Sequence, residues 1–376
     1  MRLLYTNFHP GSGGGHTTYI LNLVRSLRHQ HQIQVACPST STLNQYLRRL
    51  DPSSVLDMDY PGKLKELPDI VRNQIHLRHL LQKGRYDVIH VNGSPDHRLV
   101  ARAVRGLRVR PAIVYTKHNS FPLKRNCFSM NRFRRHTDHI IITCRHQADM
   151  FERIGVPRES LTWIRNGVDT SHYAPWSDTK RREIRGRLGL SSHDLVLTSV
   201  AGTDLHKGWQ TLVKAVSHMS DPTIKIIICG HTPSHDALAQ HVNAYEMQKQ
   251  VVFPGLVEDV RPFIAACDVG FVLSSGVETI SFACAEMMAM AKPVIVSNFA
   301  CLPDNVAHGE SGWVVETGDT ASLISLLRKV QSSRGPLANM GHAARLRAVA
   351  ESSLEVFAQH TDQVYLRVFS RKSLSL

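Results

Sequence analysis

The sequence predicts an α/β protein built from two Rossmann-like, doubly wound parallel-sheet domains. Three observations predict it. Short apolar runs alternate with stretches of helical period from the first residues onward, the pattern of βαβ units that join into a parallel sheet. The alternation pauses at a polar segment near the middle and resumes in the same style. The chain has 376 residues, enough for two domains of ordinary size.

The elements follow in order. Arg2 to Asn7 reads as a strand and runs into a turn containing Gly11, Gly13, Gly14 and Gly15. Ile20, Leu23, Val24 and Leu27 then recur at i, i+3, i+4 and i+7, one face of a helix. Further strands are expected at Ile33 to Cys37, Tyr86 to Val91, Ala112 to Thr116 and His139 to Thr143. The second half reads as a strand at Leu195 to Ala201, a helix at Gly208 to His218 and a strand at Ile224 to Cys229. Strands at Val251 to Phe253, Val269 to Leu273, Pro293 to Ser297 and Gly312 to Val315 complete it. The expected divisions are 1–170, a polar linker at 171–187, 188–353, and a helical tail at 354–376 that packs back on the first domain.

The composition narrows the function. Hydrophobic residues make up 42% of the chain, and no uncharged apolar run approaches the roughly 18 residues of a membrane span. MRLLYTNF leads straight into the glycine turn and reads as no signal peptide. Seven cysteines are scattered without a CxxC, which fits reduced cytosolic thiols. The formal net charge is +14. Residues 1–175 hold 26 Lys and Arg against 12 Asp and Glu, and residues 176–376 hold 19 of each. The first half is therefore expected to meet something anionic: nucleic acid, a phosphorylated glycan or an anionic lipid surface. A merely soluble basic surface is the plain alternative.

The stretch 275–293, SGVETISFACAEMMAMAKP, carries most of the chemistry. Glu278 follows an apolar strand-like run, and Glu286 lies on the helix-like run Phe282 to Met290. Two carboxylates so placed can both face the crevice at the carboxyl edge of a parallel sheet, where open α/β folds bind nucleotides. A ligand rich in hydroxyls, such as a sugar nucleotide, suits them. The turn at Gly11 to Gly15 opens a helix whose N-terminus can receive an anion, although a tight turn explains the glycines equally well. Lys207, beside Gly208, either meets a diphosphate at a helix start or stands in solvent. His118 follows a strand at the same kind of edge, as a sugar contact or a structural histidine. Asp57-Met58-Asp59 has the spacing of a metal-binding pair, but Pro61 and Gly62 make a surface turn the simpler reading. With no HExxH and no paired Cys/His cluster, no metal is expected. Lys124, Arg125, Arg132, Arg134 and Arg135 interleave with Phe121, Phe128 and Phe133, and Arg98 to Arg110 adds five arginines. That mixture suits an acidic membrane interface, single-stranded nucleic acid or a solvated helix face.

Taken together, the motifs resemble the GT-B glycosyltransferases of family 4, the retaining type. GSGGGHTTYILNLVRSL is similar to the family's glycine loop and helix, IRNGVDTSHYAP to its interdomain signature, and DLHKGWQTLVKA to its Lys-Gly phosphate motif. VVFPGLVEDVRPFIAACDVGFVLSS and ETISFACAEMMAMAKPVIVS look like the segment ending in the E-x7-E motif, and HGESGWVVETGD matches the stretch after it. The resemblance implies two domains facing across a cleft, the second binding a nucleotide diphosphate sugar and the first the acceptor. It implies that Glu286 holds the ribose hydroxyls and Glu278 contacts the donor sugar. The backbone N–H groups of Thr279, Ile280 and Ser281 approach the sugar and diphosphate, and Lys207 neutralises the diphosphate. Gly14 and Gly15 close on it from the first domain, and His118 contacts the transferred sugar. Gly202 lies in the donor-binding stretch. The anomeric configuration is kept, with no metal or other cofactor.

Four positions depart from the family pattern. Gly202 stands where an arginine usually precedes the Lys-Gly lysine by five residues, with Arg165 and Arg261 as candidate replacements. Thr279 and Ala291 replace glycines, and His16 replaces an acidic residue. These bear on the sugar accepted and on turnover. The expected protein is a cytoplasmic hexosyltransferase, peripheral on the inner face of the cytoplasmic membrane. Its donor is a UDP-sugar first and a GDP-sugar second. Its acceptor is a phosphorylated or lipid-linked glycan of envelope polysaccharide or lipopolysaccharide synthesis. Lys124, Arg125, Arg132, Arg134 and Arg135 would meet that acceptor or an anionic membrane, and nucleic acid is not an expected partner. A sugar-nucleotide epimerase or inverting transferase of the same fold, a basic nucleic-acid-binding protein and a non-catalytic partner subunit are the rivals.

Overall fold

The computed structural model describes the chain except residues 12, 13, 125, 277, 279, 280 and 374–376. It divides into two compact units, Met1–Gly167 with Leu354–Leu376, and Val168–Ser353.

The first unit is a seven-stranded sheet of β1 (Arg2–Thr6), β2 (Gln32–Cys37), β3 (Val55–Asp57), β4 (Val88–Val91), β5 (Ala112–Lys117), β6 (His139–Ile142) and β7 (Leu161–Trp163). Its order is β3-β2-β1-β4-β5-β6-β7, and every pairing is parallel. β4 and β5 are buried along their whole length. That explains why Val88-Ile89 and Ala112 to Tyr115 are apolar in succession instead of alternating, because helices cover both faces of the sheet. Ile89, Val91, Ile113, Tyr115 and Ile140 pack with Leu99, Phe133 and Phe151 into one core. The helix Leu354–Ser373 closes the other side against β4, β5 and the helix Gly15–Leu27. Its Tyr365 hydroxyl lies 2.6 Å from His90 Nδ1, and its Asp362 lies 2.7 Å from His31 Nε2.

The second unit has six parallel strands: β8 (Leu195–Ser199), β9 (Ile224–Ile228), β10 (Val251–Val252), β11 (Val269–Val272), β12 (Val294–Ser297) and β13 (Gly312–Val315), in the order β10-β9-β8-β11-β12-β13. Alternate residues sort to opposite faces, as the period of two requires. Leu195, Leu197, Phe271 and Ile295 join Trp209 and Leu212. Val272, Val294 and Val296 join Met287 and Met288. In both sheets the strand order reverses beside the first strand, between β1 and β4 and between β8 and β11. That reversal is the switch point at whose carboxyl edge such sheets hold ligands.

Two expectations are corrected. Residues 171–187 are not a free linker but part of the second unit. The helix Asp178–Arg187 is capped by Ser177. Its Arg185 is buried and donates to the carbonyls of Ala266 and Asp194 at 2.9 and 2.8 Å, and Arg181 and Arg185 both reach Asp268. Charge in this segment anchors a helix rather than solvating a tether. Likewise Asp57 does not sit in a surface turn. It ends β3 and accepts from Asn44 and Arg48, both at 2.8 Å. No helix among the described residues is long and apolar enough to cross a membrane.

Candidate functional site

The second unit assembles its site at the carboxyl edge of β8 and β11. The loop after β8 ends in a short 3₁₀ turn, Leu205–Lys207, and Gly208 begins the helix Trp209–Ser217. Gly208 sits at φ +76, and a Cβ there would lie 1.9 Å from the Leu273 carbonyl oxygen. Glycine therefore lets the loop after β8 lie against the loop after β11, and Ser275 N–H donates to the His206 carbonyl at 2.8 Å. Gly208→Ala combines that clash with an unfavourable backbone. We expect it to cost about 2–4 kcal/mol, read as a lower urea midpoint at unchanged m.

This closeness brings Lys207 to Glu278. Lys207 Nζ lies 2.8 Å from Glu278 Oε2, and Ser274 Oγ donates to the same oxygen at 2.8 Å. The side chains are 19% and 10% exposed, so the pair is partly desolvated and each charge neutralises the other. Ser281 caps the helix Phe282–Ala289 by accepting from Cys284 N–H. Thr279 and Ile280, whose N–H groups were expected at the donor, lie outside the described residues.

Glu286 projects from that helix. It is half-buried by surface area, yet protein surrounds the carboxyl closely enough that desolvation pushes its pKa up to about 7, offset in part by the Tyr173 hydroxyl that donates to it. Burial and the Glu286 charge raise the Tyr173 phenol in turn. Tyr173 was not singled out in the sequence, although it lies within the IRNGVDTSHYAP motif. Of the candidate replacement cations, Arg261 is held bidentately by Asp259, with contacts of 2.9 and 2.8 Å. Arg165 stacks over the Trp163 ring in the first unit. Gly202 has φ +97, a left-handed conformation an arginine could adopt only under strain.

The first unit gathers a second set of groups at the carboxyl edge of β1 and β5. Gly14 caps the helix Gly15–Leu27 without a side-chain hydrogen bond. His16, in the first turn, lies 4.4 Å between ring centroids from both His9 and His118. Tyr19 packs edge-on to His118 at 4.5 Å. His118 Nε2 is 2.8 Å from Asn92 Oδ1, while Asn92 Nδ2 donates to the Thr6 carbonyl at 3.0 Å. The amide orientation so fixed assigns the proton to Nε2 of His118. Desolvation, and then the neighbouring His16, hold the His118 pKa well below its ordinary value, and desolvation lowers His16 to about 3. These imidazoles are neutral near pH 7 and act as hydrogen-bonding and stacking surfaces, not cations. His9 and Asn92 are participants that the sequence reading did not name.

The basic segment divides. Lys124, Arg134 and Arg135 are exposed, Arg132 is half-buried beside Phe133, and Arg125 lies outside the described residues. Among the described residues no group of three or more His, Cys, Asp or Glu is arranged to hold a metal ion.

Comparison with known proteins bears on what these sites do. Residues 13–172 match the family model Glycosyltransferase Family 4, and residues 180–347 match Glycosyl transferases group 1. The chain is 23% identical over 303 residues to N-acetyl-alpha-D-glucosaminyl L-malate synthase of Bacillus anthracis, covering 76% of each chain. It is 24% identical over 352 residues to the lipopolysaccharide core biosynthesis glycosyltransferase LpsE of Rhizobium meliloti, covering 90% of this chain and 92% of that one. In fold it is similar to Anabaena Alr3699/HepE, solved in complex with UDP-glucose, with a TM-score of 0.79 at 19% identity over all of both chains.

Proposed function

The chain belongs to the family 4, group 1 glycosyltransferases, and from that membership we propose a retaining hexosyltransferase. It moves a hexose or N-acetylhexosamine from a UDP-sugar to a phosphorylated or lipid-linked glycan of envelope polysaccharide or lipopolysaccharide synthesis. The observation that carries this reading is the Lys207–Glu278 pair at the switch point of the second sheet. Departure of a nucleoside diphosphate builds negative charge on its terminal phosphate. A preorganised ammonium there lowers the barrier by meeting charge as it forms. Once Lys207 turns to the diphosphate, Glu278 is released to accept a hydrogen bond from a sugar hydroxyl. Glu286, ionised and held by Tyr173, accepts from the ribose. His118, as neutral imidazole, offers a hydrogen bond to the sugar without placing a cation beside a developing oxocarbenium centre. The UDP preference rests on the Anabaena protein solved with UDP-glucose. A 22%-identical relative from Mycolicibacterium smegmatis named as GDP-mannose-dependent keeps GDP in the test. Acceptor delivery at an anionic membrane follows from the charge of the first unit, 29 Lys and Arg against 13 Asp and Glu.

The test is calorimetric binding of UDP, GDP, ADP and CMP, followed by the anomeric configuration of the product by NMR. We expect selective UDP binding and retention. Glu286→Ala should weaken binding by about 10- to 100-fold, the loss of a charged hydrogen bond worth about 1.5–3 kcal/mol. Affinity should also rise with pH through about 7 as Glu286 ionises. Glu286→Gln should remove that part of the pH dependence and leave only the nucleotide's own. Equal binding of all four nucleotides, or an inverted product, would sink the proposal.

A further inference from the structure

The positive charge of the first unit is concentrated where two helix faces meet. The helix Ser94–Ala103 carries Arg98 and Arg102 four residues apart, and Arg105 follows in the turn beyond it. All three project from one side. The helix Cys127–Arg135 presents Phe128 and Arg132, again four apart. Together with His136 they line a cavity of about 260 Å³.

Among the described residues, no carboxylate forms an ion pair with Arg98, Arg102, Arg105 or Arg132. The neighbouring Asp96 is fully buried, its Oδ2 accepts from the Thr6 hydroxyl and the Asn92 N–H, and its field favours the Arg98 and Arg132 charges less than desolvation and the neighbouring arginines oppose them. Its pKa is pushed up to about 7 by burial, which weakens it further as a counter-charge. Arg132 lies over the Phe133 ring and makes one long contact to Ser129 Oγ at 3.4 Å, and among the described residues its Nε has no hydrogen-bond partner. Desolvation and then Arg98 bring Arg132 down to about 10, and desolvation and then Arg102 lower Arg98. The unit thus holds half-buried guanidiniums in one another's field, an unfavourable arrangement that a bound anion reverses. Guanidinium forks fit phosphate oxygens bidentately.

The rim identifies where that phosphate comes from. Phe128 is 83% exposed and Phe121 54% exposed, on the same segment as the exposed Lys124, Arg134 and Arg135. Apolar rings standing out from a cationic pocket have nothing to gain in water, but they enter the acyl boundary when cations meet the headgroups.

We propose that the cavity between the helices Ser94–Ala103 and Cys127–Arg135 is a phosphate site that docks the first unit on phospholipid headgroups, with Phe128 inserted beside them. The proposal rests on the membrane-delivered acceptor described above and adds a defined headgroup site separate from the transfer chemistry.

The experiment is sedimentation of the full chain with phosphatidylcholine vesicles, with and without phosphatidylglycerol, alongside UDP binding. The wild type should pellet only with phosphatidylglycerol. Arg102→Gln with Arg105→Gln should lower partitioning about 30-fold, the factor that about 1 kcal/mol per surface arginine gives for two. Phe128→Ser should lower it too. The charge-matched pair Arg28→Gln with Arg49→Gln, exposed elsewhere on the unit, should have much less effect. UDP affinity should be unchanged throughout. Equal losses for the two arginine pairs would overturn the proposal in favour of diffuse attraction. So would tight binding of inorganic phosphate or of an oligonucleotide, lost in the 102/105 variant, without vesicle capture. If UDP fails to bind while vesicle capture behaves as described, the transferase reading fails and the headgroup site stands.

Discussion

Replacing Lys207 by alanine is expected to lower donor turnover by about 100- to 1,000-fold, the loss seen when one preorganised group is removed from a developing anion. The change does two things, and they can be separated. On the proposed mechanism it removes the cation from the departing diphosphate, and among the described residues it leaves Glu278, 10% exposed, with Ser274 as its side-chain partner. An uncompensated buried charge costs about 3–5 kcal/mol, less here because the pair is not fully enclosed. Lys207→Met combined with Glu278→Gln removes both charges at once. Its urea midpoint should recover toward the wild type while turnover stays low. Turnover near the wild-type value in Lys207→Ala would remove Lys207 from the chemistry and leave it as a strut between two loops.

The second large effect is acid lability confined to the first unit. His90, His97 and His139 are fully buried there. Desolvation lowers His90 to about 3, His139 to about 4 and His97 well below its ordinary value. A histidine depressed in the folded state binds its proton only when unfolded, so stability is lost as pH falls below about 6.5. Asp96 works in the opposite direction, because its raised pKa lets the folded state hold a proton that the unfolded chain releases. With His16 and His118, depressed in the same unit, five histidines against one carboxyl leave a net uptake of four protons on unfolding. At about 1.4 kcal/mol per proton and pH unit, the first unit should lose on the order of 5–6 kcal/mol per pH unit below 6.5. In the second unit, the raised Glu286 carboxyl favours the folded state as pH falls from about 7. Pulse proteolysis with mass spectrometry at pH 7.5 and 5.0 should therefore cut residues 1–167 first. Equal protection of the two units at pH 5.0 would refute this account.

The long strands were readable from the sequence because they are buried on both faces. β5 and β11 show as the apolar runs Ala112 to Tyr115 and Val269 to Val272, and β4 as one broken by His90. The edge strands β3 and β7 were not, because three residues with partly exposed side chains leave no period to detect. The helix Asp178–Arg187 was hidden for a related reason. Its packing face is made of arginine, and composition cannot distinguish a guanidinium in solvent from one donating to buried carbonyls. Glu278, Glu286 and Lys207 stood out through local spacing. That Lys207 and Glu278 touch did not, since 71 residues separate them and only the folding of two loops over Gly208 joins them. His16 was legible as a departure, but its stacking between His9 and His118 was not.

The membership of the helix Leu354–Ser373 in the first unit has a consequence for biosynthesis. The first unit is written in two pieces, with all of Val168–Ser353 between them. The chain leaves and re-enters it at adjacent points, for Val168 N–H donates to the Ser352 carbonyl at 2.7 Å. While the chain is being translated, His90 and His31 emerge more than two hundred residues before Tyr365 and Asp362, their partners. The second unit is contiguous and can fold while the ribosome is still at work. The amino-terminal sheet, although made first, must wait with one face uncovered until residues 354–373 arrive. For this protein the order of synthesis and the order of completion run opposite ways. A stalled or truncated message would release a finished second unit attached to an unfinished, strongly basic first one, the kind of exposed intermediate that chaperones hold.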